Sequence, residues 1–174
     1  RRVDLVEEGY DVALRIGHLA DSSLIARKLC PIRVVTVASP EYLKKRGEPK
    51  HPDELAGHDH LAYSYLNEGM SWNFKVAERT QHVRIAPRAF ANNGDAILTM
   101  AESGGGIAQV PTFICGDSVR AGRLKPVLCD FEPSVFGLYA LYPHARNLPL
   151  KVRVFVDYLR RKVRSEPEWD QGID

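Results

Sequence analysis

Residues 92–111, NNGDAILTMAESGGGIAQVP, constrain the fold more than any other stretch of the chain. Asn92, Asn93 and Gly94 are helix-start residues, and Asp95 falls in the first turn, where its charge complements the helix dipole. Ala96, Ile97, Met100 and Ala101 recur at helical spacing and form one apolar face. Gly104, Gly105 and Gly106 end the helix, residues 107–110 make a short buried strand, and Pro111 opens the next helix. A helix feeding a strand that feeds a helix is the repeating unit of an α/β domain. Small ligands in such domains sit at strand carboxyl ends and helix N-termini, so Asn92 and Asn93 are the first candidates to touch one. The alternative is that both only cap the helix, since asparagine is among the best capping residues.

The same reading extends outward. Val12, Leu14 and Ile16 alternate with Ala13 and Arg15, which predicts a strand ended by Gly17. Asp21, Ser22 and Ser23 then form a polar loop past its carboxyl end, either a solvated turn or a ligand contact. Two β-rich runs, 24–29 and 32–38, are separated by Cys30 and Pro31 and read as strand, break, strand. Val34, Val35 and Val37 suggest a central parallel strand buried on both faces. Pro40 starts a short basic helix, and 52–56 a further helical turn. Residues 61–65 form a strand on which Ser64 faces away from Tyr63 and Tyr65, and 72–85 form a hairpin with an aromatic face. Further on come a helix over 112–121, a strand over 123–128 and another over 136–142. An amphipathic helix over 148–163 buries Val152, Phe155, Val156 and Leu159. The tail, 165–174, is polar apart from Trp169 and Ile173 and is expected to be loosely ordered.

At 174 residues the chain is one domain or two small lobes, and a net charge of +2 with scattered basic residues does not describe a DNA-binding surface. Cys30, Cys115 and Cys129 form no CxxC pair, which argues for reduced structural thiols in the cytosol rather than disulfides or a metal site. His58, Asp59 and His60 invite a metal, but no further ligands at convincing spacing accompany them. No apolar run approaches a membrane span and no signal peptide is evident. GxSxG, P-loop, GxGxxG and HExxH patterns do not occur. The glycine triplet lies after a helix and before a strand, the reverse of a phosphate-binding turn. Cys115 shows no activating base. The sequence therefore argues for binding rather than turnover: not an enzyme, with no cofactor and no catalytic or metal site expected.

Several stretches, in order, carry a resemblance: DLVEEGYDVALRIG (4–17), DSSLIARKL (21–29), VASPEYLKKRGEPKHPDEL (37–55), NNGDAI (92–97), GGGIAQVP (104–111), AGRLKPVL (121–128) and ALYPHARNLPLKVRVFVDYL (140–159). Together they resemble the effector-binding domain of LysR-type transcriptional regulators across nearly the whole chain. The resemblance implies an α/β fold of two Rossmann-like lobes of periplasmic-binding-protein type II, joined by two crossover segments. By that analogy lobe I is 1–57 plus 138–174, lobe II is 58–137, and a small-molecule effector binds between them. Arg15 and Gly17 at the first strand's end, Ser22 in the next loop, Ser64 on the first crossover strand, Asn92 and Asn93 at the helix start, and Tyr139 near the second crossover map onto the walls.

The family's N-terminal winged helix-turn-helix is absent, as are the first strand and helix of lobe I upstream of Arg1. The chain is expected to be part of a longer, cytoplasmic protein that self-associates to a dimer or tetramer. DNA would be reached only through the missing N-terminal domain, and no membrane partner is expected. Arg15 and the helix start at Asn93 would suit a carboxylate, so an organic or aromatic acid is the favoured effector, although Arg15 would serve equally in a structural salt bridge. A periplasmic-type solute-binding protein of a transporter is the alternative.

Overall fold

The computed structural model describes residues 9–17, 24–64, 70–143, 148–163 and 167–173. The chain divides into two compact units, one of residues 1–32 with 135–168 and the other of 33–134 with 169–174.

The first unit is a three-stranded antiparallel sheet in which β10 (Phe136–Pro143) lies between β1 (Ala13–Gly17) and β2 (Leu24–Ile32). Helix α4 (Leu150–Lys162) packs Val152 and Val156 against Leu29, Ala140 and Tyr142. Phe155, expected in that stripe, is 44% exposed, because the buried line runs through 152 and 156 and leaves 155 at its flank. The expected break at Cys30 and Pro31 does not occur, and β2 runs on with Pro31 opposite Gly137. As an edge strand, β2 can spare the donor that proline lacks.

The second unit is built on a five-stranded sheet in the order β7-β4-β8-β3-β9. These strands are β7 (Pro87–Ala91), β4 (His60–Tyr63), β8 (Ile107–Pro111), β3 (Val34–Ala38) and β9 (Lys125–Val127). β4 is parallel to both neighbours, whereas β3 is antiparallel to both of its own. The valine run of β3 is thus central and buried, as expected, but antiparallel: valine enrichment reports burial on two faces, not strand direction. The proline of β9, Pro126, again sits on an edge strand.

Helix α2 (Gly94–Glu102) buries Ile97 and Ala101, and α3 (Thr112–Arg120) follows β8 directly. α1 (Pro40–Arg46) is capped by Ser39, and a 3-10 turn occupies Pro52–Gly57. The hairpin β5 (Ser71–Val76) with β6 (Arg79–Arg84) turns at Ala77 and Glu78, both at positive φ, and buries Trp72 and Phe74 in a second core cluster. The glycine triplet serves packing. Gly104 has φ +76, and a Cβ on Gly106 would lie 2.5 Å from the Asp59 carbonyl oxygen, so the turn into β8 tolerates no side chain there.

The two units divide the chain at other positions than the expected lobe boundaries. The first crossing falls at 32/33 rather than 57/58, because β3 pairs with β8 and β9 and so belongs to the second unit. The second falls at 134/135 rather than 137/138, since all of β10 pairs within the first unit. The chain also crosses a third time, after Glu168. The tail is not loose: Ile173 is fully buried with Val35, Val37, Cys115 and Leu124. One apolar side chain in a short polar segment is a weak periodic signal, yet it suffices as an anchor.

Candidate functional site

In the second unit the parallel strands β4 and β7 end side by side, with Tyr63 opposite Ala91. The Ser64 N–H extends the ladder by donating to the Ala91 carbonyl at 2.8 Å. The chain then reaches Asn92 and Asn93 and enters α2. Asn93 is extended (φ −132, ψ 132), and its Oδ1 accepts from the N–H of Asp95 at 2.7 Å and of Ala96 at 3.4 Å. Capping is therefore a real role for Asn93, and it occupies two of the helix's first donors. Asn92 is exposed and takes no part in the cap.

Around this start lies a hollow of about 320 Å³, lined by Tyr63, Asn92, Asn93, Gly94, Asp95, Phe113 and Ile114. Phe113 and Ile114 come from the first turn of α3, just past the carboxyl end of β8. The hollow thus sits over the ends of three parallel strands, where open α/β sheets bind ligands. Gly94 lets α2 and α3 approach closely: a Cβ there would lie 2.5 Å from Ile114 Cδ1, so that side chain would have to swing aside. The wall offers ring faces from Tyr63 and Phe113 and amides from the two asparagines. Its single charge is the carboxylate of Asp95.

In the first unit Arg15 lies opposite Tyr139, and Gly17 opposite Gly137, in the β1–β10 ladder. A Cβ on Gly137 would fall within the Tyr139 ring, so the ring rests on bare backbone.

The seven sequence candidates therefore separate. Asn92, Asn93 and Ser64 gather at one end of the second unit's sheet, with both asparagines lining the hollow. Arg15, Gly17 and Tyr139 gather in the first unit. Ser22 lies outside the described residues. Sequence reasoning does not single out Tyr63, Asp95, Phe113 and Ile114 as wall residues. The rule that selects Asn92, position at a helix start in an α/β unit, selects Phe113 as well.

The titratable residues elsewhere have structural explanations. His58 Nδ1 and the Tyr42 hydroxyl share a hydrogen bond at 3.2 Å, and the same hydroxyl accepts from the Asp59 N–H at 2.8 Å. Burial, then the nearby Arg46 and His60, hold the His58 pKa below its ordinary value. His60 is buried edge-on to Trp72. Among the described residues no group of three or more His, Cys, Asp or Glu side chains could hold a metal. Burial pushes the Cys115 thiol up to about 11, the opposite of an activated nucleophile. No helix among them is long and apolar enough to cross a membrane.

Residues 1–164 match the model of the LysR substrate binding domain. An uncharacterized HTH-type transcriptional regulator of Haemophilus influenzae is 39% identical over 152 residues, 87% of this chain and 53% of that protein. HTH-type transcriptional regulator PtxR of Pseudomonas aeruginosa is 35% identical over 164 residues, 94% of this chain and 53% of its own. The chain spans about half the length of these curated relatives. The regulatory domain of CrgA, a LysR-type transcriptional regulator from Neisseria meningitidis, superposes with a TM-score of 0.78 at 33% identity, covering 90% of this chain and 77% of that one. The two-lobed periplasmic-binding-protein type II fold of such regulatory domains is the fold found here. On the family match, the relatives and the fold together, the chain belongs to the LysR substrate-binding domain family.

Proposed function

We propose that this chain is the effector-binding domain of a LysR-type transcriptional regulator, with the Asn92–Ile114 hollow as one wall of the effector site. The observation that carries the reading is the convergence of Tyr63, Asn92, Asn93 and Phe113 over the carboxyl ends of β4, β7 and β8. Arg15, Gly17, Ser22 and Tyr139 contribute from the other lobe. The effector acts by binding one arrangement of the protein better than another, and only that difference can shift DNA binding by a full-length regulator. DNA contact belongs to an N-terminal domain, the protein works as a dimer or tetramer in the cytoplasm, and the chain catalyses nothing.

The preference for an organic or aromatic acid rests on Arg15, because Asp95 makes the α2 wall itself negative. Ring faces on Tyr63 and Phe113 favour a planar or aromatic body. A transporter's solute-binding protein is the weaker reading, since the relatives are named as transcriptional regulators.

The test is a thermal-shift screen of this chain against small organic and aromatic acids, repeated on Asn92→Ala and Ser64→Ala. A ligand at about 100 times its Kd stabilises by about 2.7 kcal/mol. At about 2–4 °C per kcal/mol for a chain of this size, that is a rise of about 5–10 °C. Either substitution should reduce it. A shift that neither substitution alters would place binding elsewhere and overturn the assignment.

A further inference from the structure

Residues 169–173 are held on the second unit by several independent contacts. Ile173 is fully buried in the cluster that holds Cys115 and Leu124. Its carbonyl accepts from Arg33 Nη1, while Nε and Nη2 of the same guanidinium hold Glu132 at 2.8 and 2.7 Å. Arg120 Nη1 donates to the carbonyls of Trp169, at 3.3 Å, and Gln171, at 2.9 Å, while Nη2 is fixed by Asp117 at 2.7 Å. The tail backbone lies against Gly116 of α3, where a Cβ would be 2.9 Å from the Trp169 carbonyl oxygen. Two arginines reading main-chain carbonyls and a glycine admitting the backbone make this a seat for a segment, not for one side chain.

The seat adjoins the hollow. Phe113 lines the hollow on one side and meets the Trp169 ring edge-on at 6.2 Å on the other. The nine residues of α3 thus carry hollow-lining side chains in the first turn and tail-seating groups at 116 and 120. The seat is also imperfect: Trp169 Nε1 and Asp170 Oδ1 are buried without a hydrogen-bond partner among the described residues, which offsets part of what Ile173 gains. The tail follows directly on residues of the first unit, so whatever unseats it acts on the chain that leaves that unit.

We propose that residues 167–173 are a strap whose seating on α3 is coupled, through Phe113 and the first turn of that helix, to the state of the Asn92–Ile114 hollow. A ligand held against Phe113 steadies the turn and favours the seated strap. By reciprocity the seated strap raises affinity for that ligand. The regulatory use of this coupling rests on the effector-site reading above, but the coupling itself does not.

Hydrogen exchange without any effector therefore tests it. The chain is compared with a form lacking residues 169–174 and with Gly116→Ala, which displaces the tail backbone while leaving every hollow-lining residue in place. On truncation, exchange over 112–116 and 93–97 should quicken about tenfold more than any rise in the β5–β6 hairpin, which lies in a separate core cluster, and by less in Gly116→Ala. Unchanged exchange over 112–116 in both variants would overturn the coupling. So would a uniform rise that includes the hairpin, which would mean that the tail only stabilises the unit as a whole. A failed effector screen would leave these outcomes untouched.

Discussion

Asn93 separates capping from ligand binding, because the structure assigns it the first role and the family position the second. Replacing it with alanine removes an acceptor at 2.7 Å from the Asp95 N–H and 3.4 Å from the Ala96 N–H. Loss of an N-cap of this kind costs about 1 kcal/mol. The loss stops at the first turn, since Ile97 and Ala101 pin the rest of α2 to the sheet. For a chain of this length that is a fall in Tm of about 2–4 °C. Asn93→Asp keeps an acceptor in place and should stay within about 0.5 kcal/mol of the parent. Asn92→Ala removes no cap and should be similarly silent. Urea unfolding of the three variants, followed by circular dichroism, supplies the comparison. If Asn92→Ala costs as much as Asn93→Ala, or if Asn93→Ala costs nothing measurable, the assignment of the cap is wrong. With the assignment intact, Asn93→Asp becomes the variant that changes the site chemistry at constant stability.

Three other outcomes follow from the packing and electrostatics. Ile173→Ala, which hollows a fully buried position, should cost about 2–3 kcal/mol in denaturant unfolding, whereas Gln171→Ala should stay within about 0.5 kcal/mol; equal effects would mean the tail is not seated. His58 has its folded pKa depressed below 6.5, so the unfolded chain binds the extra proton first. Its stability contribution is present above that value and is lost as pH falls through the folded pKa. Unfolding between about pH 7.5 and 5.5 should show a loss that His58→Gln diminishes, and an unchanged pH slope would contradict this. In iodoacetamide labelling at neutral pH, exposed Cys129 should react well ahead of Cys115, whose buried thiol is pushed up to about 11; mass mapping of the labelled peptides would reveal the reverse order.

Much of this molecule can be read before any coordinates exist, and what cannot be read has physical causes. The 92–111 stretch folds as helix, turn and strand because its cap, apolar period and glycines agree with one another. The same consistency located Asn92 and Asn93 at a helix start. Where local signals were ambiguous the reading erred. Pro31 reads as a strand break because edge position, which makes it harmless, is a property of the sheet and not of the residue. β3 was expected to run parallel because burial leaves a valine pattern that is blind to direction. Only pairing with β8 and β9 assigns 34–38 to its unit. Phe113 and Ile114 escaped notice because apolar residues in a first helical turn read as core. Ile173 escaped because a single anchor has no period.

The most direct test of the account is amide chemical-shift mapping of the isotopically labelled chain with the same panel of small organic and aromatic acids. The account predicts saturable perturbations centred on residues 63–64, 92–95 and 113–114, accompanied by Arg15 and Tyr139, and weakened in Asn92→Ala. Saturable binding that instead perturbs the β5–β6 hairpin or the exposed face of α4, leaving 92–95 unmoved, would contradict the claim that the ends of β4, β7 and β8 form the effector site.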